Sequence, residues 1–350
     1  MTVIKKWVNQ LFRKKINIAP LVVFRIIFGV MMFASTLRFV LKGWITDFYI
    51  TPNYYFTYYG FDWVKPLEDN GMYILFGFLL CCTVFITFGL FYRLSMTLYF
   101  LLFTYVELID KTYYLNHYYF ISLLSFILIF LPLHRSFSLD TFFGICKKNT
   151  HVKSWTVNLI KLQIGIVYFF AGIAKLNYHW LIEAQPLINW LKHLSHFPII
   201  GQYLMEDYTA FIFSWVGALF DLTIFFVLIN NRLRIYGYVI VVIFHLMTSL
   251  MFPIGVFPLV MICSTLIFFS EGFHIKLISF ISRITFKSKT DSNLIYSINS
   301  SRKSVLKILF ISFFVIQFFL PFRYLLYPGK LFWSEQGYRF SWRVMLIEKV

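Results

Sequence analysis

Apolar runs of about 18 to 22 residues recur along almost the whole chain, and no other feature limits the fold so strongly. A hydrocarbon core of about 30 Å is crossed by roughly that many helical residues. Inside lipid, every backbone N–H and C=O must also find its partner within the protein. The expected fold is therefore all-α, a polytopic transmembrane helical bundle. Hydropathy gives about nine spans, at 18–40, 72–92, 94–109, 114–132, 156–175, 209–230, 233–251, 253–270 and 304–322. Of the 350 residues, 59% are hydrophobic and only 13% charged, which speaks for one large bundle rather than two soluble domains. The run from Ile18 to Val40 is too long for the apolar part of a signal peptide, and no small-residue cleavage site follows it, so it reads as a retained first helix.

The charges then orient the spans. The formal net charge is +17, a value often met in nucleic-acid binders. Here, however, the Lys and Arg residues cluster between apolar runs, as cytoplasmic loops require, and no nucleic-acid partner is expected. Lys5, Lys6, Arg13, Lys14 and Lys15 precede the first span, and Arg93 joins the second to the third. Arg135, Lys147, Lys148 and Lys153, then Arg232 and Arg234, then Lys276, Arg283, Lys287, Lys289, Arg302 and Lys303 mark every second loop after that. The intervening loops carry acids such as Asp47, Asp62, Glu68, Asp69, Glu183, Glu206 and Asp207. The alternation implies a cytoplasmic amino terminus and an external carboxyl terminus.

Three segments follow: a basic cytoplasmic stretch over 1–17, the bundle over 18–322, and the start of an external segment over 323–350. The stretch from Ser288 to Ser301 is polar with little to bury and reads as a mobile cytoplasmic loop. Cys81, Cys82, Cys146 and Cys263 form no CxxC pair and have no histidine at zinc spacing, so they read as small apolar packers and no metal is expected. The chain shows no inverted repeat and no matched pair of broken helices, which argues against a transporter.

Ionisable groups within a bilayer are costly, so each needs a partner or a task. Two groups stand out. Asp110, Lys111, Asn116 and His117 lie at the external hairpin between the third and fourth spans. Lys111 could snorkel or pair with Asp110, and Asn116 or His117 could cap a helix. Lys175 ends a run without another charge from Leu162 onward, and Gly172 and Ala174 leave room beside it for a second helix or a ligand. By the loop charges, Asp110, Asn116, His117 and Lys175 share the external side and could meet. A lysine held out of water gives up its proton more readily, which makes it a competent base.

The ordered residues Asp110-Lys111-Thr112, Asn116-His117 and Tyr119, then Val167-Tyr168-Phe169-Phe170-Ala171-Gly172 with Lys175-Leu176, then Phe244-His245 with Gly255, resemble the successive motifs of the vitamin K-dependent gamma-carboxylases and their bacterial HTTM relatives. The resemblance spans about residues 20–345. It implies a membrane enzyme in which Lys175 deprotonates reduced vitamin K or menaquinol. Oxidation of the quinol by O2 to the epoxide is then coupled to removal of a γ-proton from a peptidyl glutamate and to capture of CO2. It also implies that His117 hydrogen-bonds the quinone, with Asp110, Asn116 and Lys111 in support, and that His245 belongs to the quinone site. The stretch Gly337–Met345 would begin an external lid.

The implied partners are the lipid bilayer, a lipid-soluble quinone that enters sideways, and an exported glutamate-containing protein or peptide. The implied setting is a bacterial inner membrane with the active face toward the periplasm. The chain departs from the better-known animal pattern in having Ala174 where those carry a second lysine. Most of the family's larger external domain is also expected to be missing, as in a fragment or a minimal form. Two further readings are a quinol oxygenase or epoxidase that does not carboxylate, and a non-catalytic quinone or lipid carrier.

Overall fold

A computed structural model describes residues 12–198, 200–285, 295–296 and 300–344. The Ser288–Ser301 segment and the first 11 residues fall almost wholly outside these. The longer helices are α1 (Ala19–Leu41), α2 (Gly71–Phe88), α3 (Tyr92–Ile109), α4 (Asn116–Phe130), α5 (Trp155–Lys175), α6 (Asp207–Ile229), α7 (Arg234–Met251), α8 (Phe257–Thr265), α9 (Glu271–Thr285) and α10 (Ser300–Phe319). The protein is a helical integral membrane protein. Among the described residues, six helices are long and apolar enough to cross a membrane, and up to seven if the pair Phe257–Phe268 and Glu271–Ile281, bent by 114°, counts as one span.

The remaining expected spans are helical but fall short of that standard. α3 has 18 residues without the required apolarity, α4 has 15 residues, and α8 has nine. A fully helical chain was expected, yet Lys15–Asn17 (β1) and His151–Lys153 (β2) form an antiparallel ribbon with Lys15 opposite Lys153. Both strands sit just before a long helix, where backbone groups lack helical partners, and the β-branched Ile16 and Val152 lie opposite each other in the register.

Contacts divide the chain into two compact units, one comprising 1–162 with 259–299 and the other 163–258 with 300–350. In the first unit, Gly29 of α1 lets the chain touch α2, since a Cβ there would stand 2.8 Å from the Thr87 nitrogen. α2 ends at Gly89, whose left-handed φ of 64° allows its N–H to reach Ile86 O and that of Leu90 to reach Phe85 O. A side chain at Gly89 would also strike the Arg25 guanidinium, 2.5 Å away. Arg25 of α1 is 1% exposed and donates to the carbonyls of Leu133 at 3.0 Å and of Phe137. Asp140 accepts from the Phe91 and Tyr92 amides at 2.7 and 3.1 Å. Both charges answer backbone groups in the turns that end α2 and α4.

In the second unit, the chain between α5 and α6 forms short helices at Tyr178–Leu181, Leu187–Lys192 and Gly201–Leu204. Trp180, Ala184, Leu187, Leu191 and Leu204 pack there with Ala210 of α6 and Met251 of α7. This apolar cluster fixes the end of α5, and therefore fixes Lys175.

Candidate active site

Lys175 is the last residue of α5 and is 7% exposed. Its Nζ makes an ion pair and hydrogen bond with Asp221 Oδ2 of α6, and the carboxylate is equally buried, at 6%. The helices come close enough for this because of Gly172. A Cβ at that position would lie 2.7 Å from Leu222 Cγ and 2.9 Å from the Leu222 nitrogen. The backbone of α6 therefore lies against Gly172, and the residue before Leu222 faces the lysine one turn further along α5. The space expected beside Gly172 is filled by a helix.

The pair is enclosed from a second direction. Asn177 caps the short helix after α5, accepting from the Trp180 amide at 3.0 Å and donating to Ala174 O at 2.9 Å. That tight turn brings the Trp180 ring to 5.3 Å from Lys175 Nζ, a cation–π distance. Trp180 is anchored in turn by exchange with Ser214: its Nε1 donates to Ser214 O at 3.0 Å, and the Ser214 hydroxyl donates to Trp180 O. A buried ammonium with one carboxylate, one ring face and a long contact to Ala171 O at 3.4 Å has little water around it.

Another buried side-chain pair lies in this unit. His245 of α7 is 2% exposed, and its Nε2 shares a hydrogen bond of 3.1 Å with the Tyr168 hydroxyl of α5. The rings of Phe220, Phe244 and Phe257 surround it, with centroids 5.4 to 6.0 Å away. Its Nδ1 has no hydrogen-bond partner among the described residues. This leaves a buried polar atom unsatisfied among aromatic rings. Beyond the end of α5, a cavity of about 450 Å³ opens among Ala174, Asn177, His179, Tyr324, Phe332 and Arg343. Arg343 stacks there, 4.5 Å from the Tyr324 ring centroid.

The other nominated residues belong to the first unit. Asp110 is 5% exposed and caps the short 3-10 turn Lys111–Tyr113, with Oδ1 accepting from the Thr112 amide and hydroxyl at 2.8 Å each. The Lys111 amide donates to Phe56 O at 2.8 Å. Asn116 opens α4 and accepts from the Tyr114 hydroxyl at 2.9 Å. His117 is buried, with its ring edge-on to Tyr118 at 4.5 Å. Burial, with the Asp110 charge adding to it, pushes the Tyr113 phenol above its usual range.

Residues 13–273 match the family model described as the HTTM domain. The chain belongs to the HTTM domain family. Residues 302–350 of this HTTM protein match the lumenal domain of vitamin K-dependent gamma-carboxylase. Together the two matches make it a vitamin K-dependent carboxylase-like membrane protein. The lumenal-domain match begins within the last long apolar helix. No solved structure matches the chain.

Two residues of this HTTM bundle were passed over in the sequence, Asp221 and Arg25. Asp221 is the one charge from Tyr208 to Ile229, the same signal that singles out Lys175, and Arg25 shares its helix only with Arg38 in the last turn. Tyr168 falls within a quoted motif, but its link to His245 appears only in the fold. All four cysteines are free thiols, and among the described residues no three His, Cys, Asp or Glu side chains gather as a metal site would need.

Proposed function

We propose that the protein is a membrane enzyme that couples oxidation of a reduced quinone by O2 to carboxylation of a peptidyl glutamate, with Lys175 as the base. The observation that carries this reading is the burial of Lys175 at the end of α5, among Asp221, Trp180 and Ala171, in a chain of this family. Lysine in such surroundings can shed its proton to a partner and take one from a quinol hydroxyl. The quinol, once bound, supplies the reducing power and the strong base that a glutamate γ-carbon demands.

The residues of this chain do the rest. Lys175 holds the abstracted proton as an ammonium and stabilises the oxyanion left behind. Tyr168 and His245 orient the flat ring in their aromatic chamber, with Nδ1 available to a quinone oxygen. The aromatic enclosure keeps solvent protons from quenching a carbanion. Nine spans, a cytoplasmic amino terminus and an active face toward the periplasm of a bacterial inner membrane complete the proposal. The acceptor is an exported glutamate-containing protein or peptide.

The test is aerobic incubation of the protein in lipid with reduced menaquinone or vitamin K, with labelled CO2 and a glutamate peptide. Epoxide with label fixed in the peptide is the expected result. Epoxide without fixation would make it a quinol oxygenase instead. Quinone binding with no epoxide would leave a carrier and overturn the proposal.

A further inference from the structure

The Lys175–Asp221 pair poses a problem for any base at position 175. An ammonium ion in contact with a carboxylate already holds its proton and cannot accept another. Among the described residues the geometry also leaves no second acceptor close by. Around Nζ stand Asp221, the carbonyl of Ala171 and the Trp180 ring, and neither the carbonyl nor the ring can take up a proton to give a stable acid.

We propose that Asp221 is the positioning residue that empties Lys175: it receives the ammonium proton when the quinol enters, so that the amine faces the substrate while the pair stays neutral. This rests on the reading of Lys175 as the base. The first step moves one proton across the existing hydrogen bond, from Nζ to Oδ2, and converts the ammonium and carboxylate into an amine and a carboxylic acid. In the second step the amine takes the quinol hydroxyl proton, leaving an oxyanion beside an ammonium. Charge is conserved in both, and no outside acid, base or oxidant is needed.

With Asp221 ionised, the second step would put two anions beside a single cation in a site with little water. With Asp221 protonated, the same step leaves one anion and one cation, which a low-dielectric site tolerates far better. The first step is feasible for a related reason. Entry of an apolar ring removes what water remains, and loss of water weakens a charged pair relative to its neutral form. The Gly172 contact holds the two side chains in register for transfer, because it fixes α6 against α5 one residue away from Asp221. Of the described titratable groups on α5, α6 and α7, Tyr168 and His245 are the ones near enough to act on the pair, and they are hydrogen-bonded to each other.

Two readouts test this, the first without turnover. Infrared difference spectra are recorded on adding quinol anaerobically to native protein, Asp221→Glu and Asp221→Asn. A carboxylic-acid carbonyl band that appears in the native protein, shifts in Asp221→Glu and is absent from Asp221→Asn is expected. Absence of the band in the native protein, or its persistence in Asp221→Asn, would overturn the role.

The second readout is the pH below which epoxide formation falls. In the native site one proton is shared by the pair, so acid inactivates only when a second is added. In Asp221→Asn the amine alone must be empty, and the fall is expected at higher pH, with Asp221→Glu restoring the native profile. A counter-ion with no proton-accepting role gives the opposite shift, and a fall at lower or unchanged pH would overturn the proposal. Quinone binding shows that each variant is folded. Lys175→Ala runs alongside: if it forms epoxide as the native protein does, the base reading itself fails. If it is inactive and only the Asp221 results disagree, the proton-acceptor role fails alone.

Discussion

The polar clusters around Asp110 in the first unit and around Lys175 in the second are built in opposite ways. In the first unit, Asp110 meets Thr112 and Asn116 meets Tyr114, each over two residues of sequence. In the second, Lys175 meets Asp221 across 46 residues and Tyr168 meets His245 across 77. A local cluster forms as soon as its turn forms, because its partners are neighbours in the chain. A long-range pair exists only once helices have packed, and its charges have no other partner if packing fails. The first arrangement supports a turn; the second makes the integrity of a bundle depend on the same side chains that carry the proposed chemistry.

That contrast predicts unequal costs of substitution. Removing one member of a buried ion pair leaves an uncompensated charge, so Asp221→Ala should destabilise the protein by about 3–5 kcal/mol. The double variant Lys175→Ala/Asp221→Ala should lose clearly less than the sum of the two single changes. Unfolding midpoints in detergent check both, and additive losses would show that the pair is not coupled. Gly172→Ala should come next, at about 1–3 kcal/mol, because its Cβ would press on the Leu222 side chain and backbone. It should also reduce epoxide formation, by pushing Asp221 off the lysine. Asp110→Ala should matter least to stability, at about 1 kcal/mol, the usual loss for a cap. A loss as large as that of Asp221→Ala would erase the distinction between the two units.

The same difference governs what could be read from the chain. Apolar runs announced α1, α2, α5, α6, α7 and α10, because crossing lipid demands length and apolarity together. Asp110, Asn116 and His117 were legible because they fall within eight positions. Lys175 was legible as a charge closing an uncharged run. Its partner was not, although Asp221 is the one charge in the stretch from Tyr208 to Ile229, since nothing in the sequence says which earlier residue it faces. The capping structure over Trp180–Leu204 was invisible for another reason. Its helices are four to six residues long and are held by packing on α6 and α7 rather than by any periodicity.

Lys175→Arg tests the proposed base with the least disturbance of its surroundings. Arginine keeps a cation for Asp221 but remains protonated in proteins, so it can hold the pair and cannot act as a base. With reduced menaquinone in lipid, the variant is expected to bind quinone as the native protein does and to form epoxide at least about 100-fold more slowly, the lower end of what a positioned base contributes. Epoxide formed at the native rate by Lys175→Arg would contradict the assignment of Lys175 as the base.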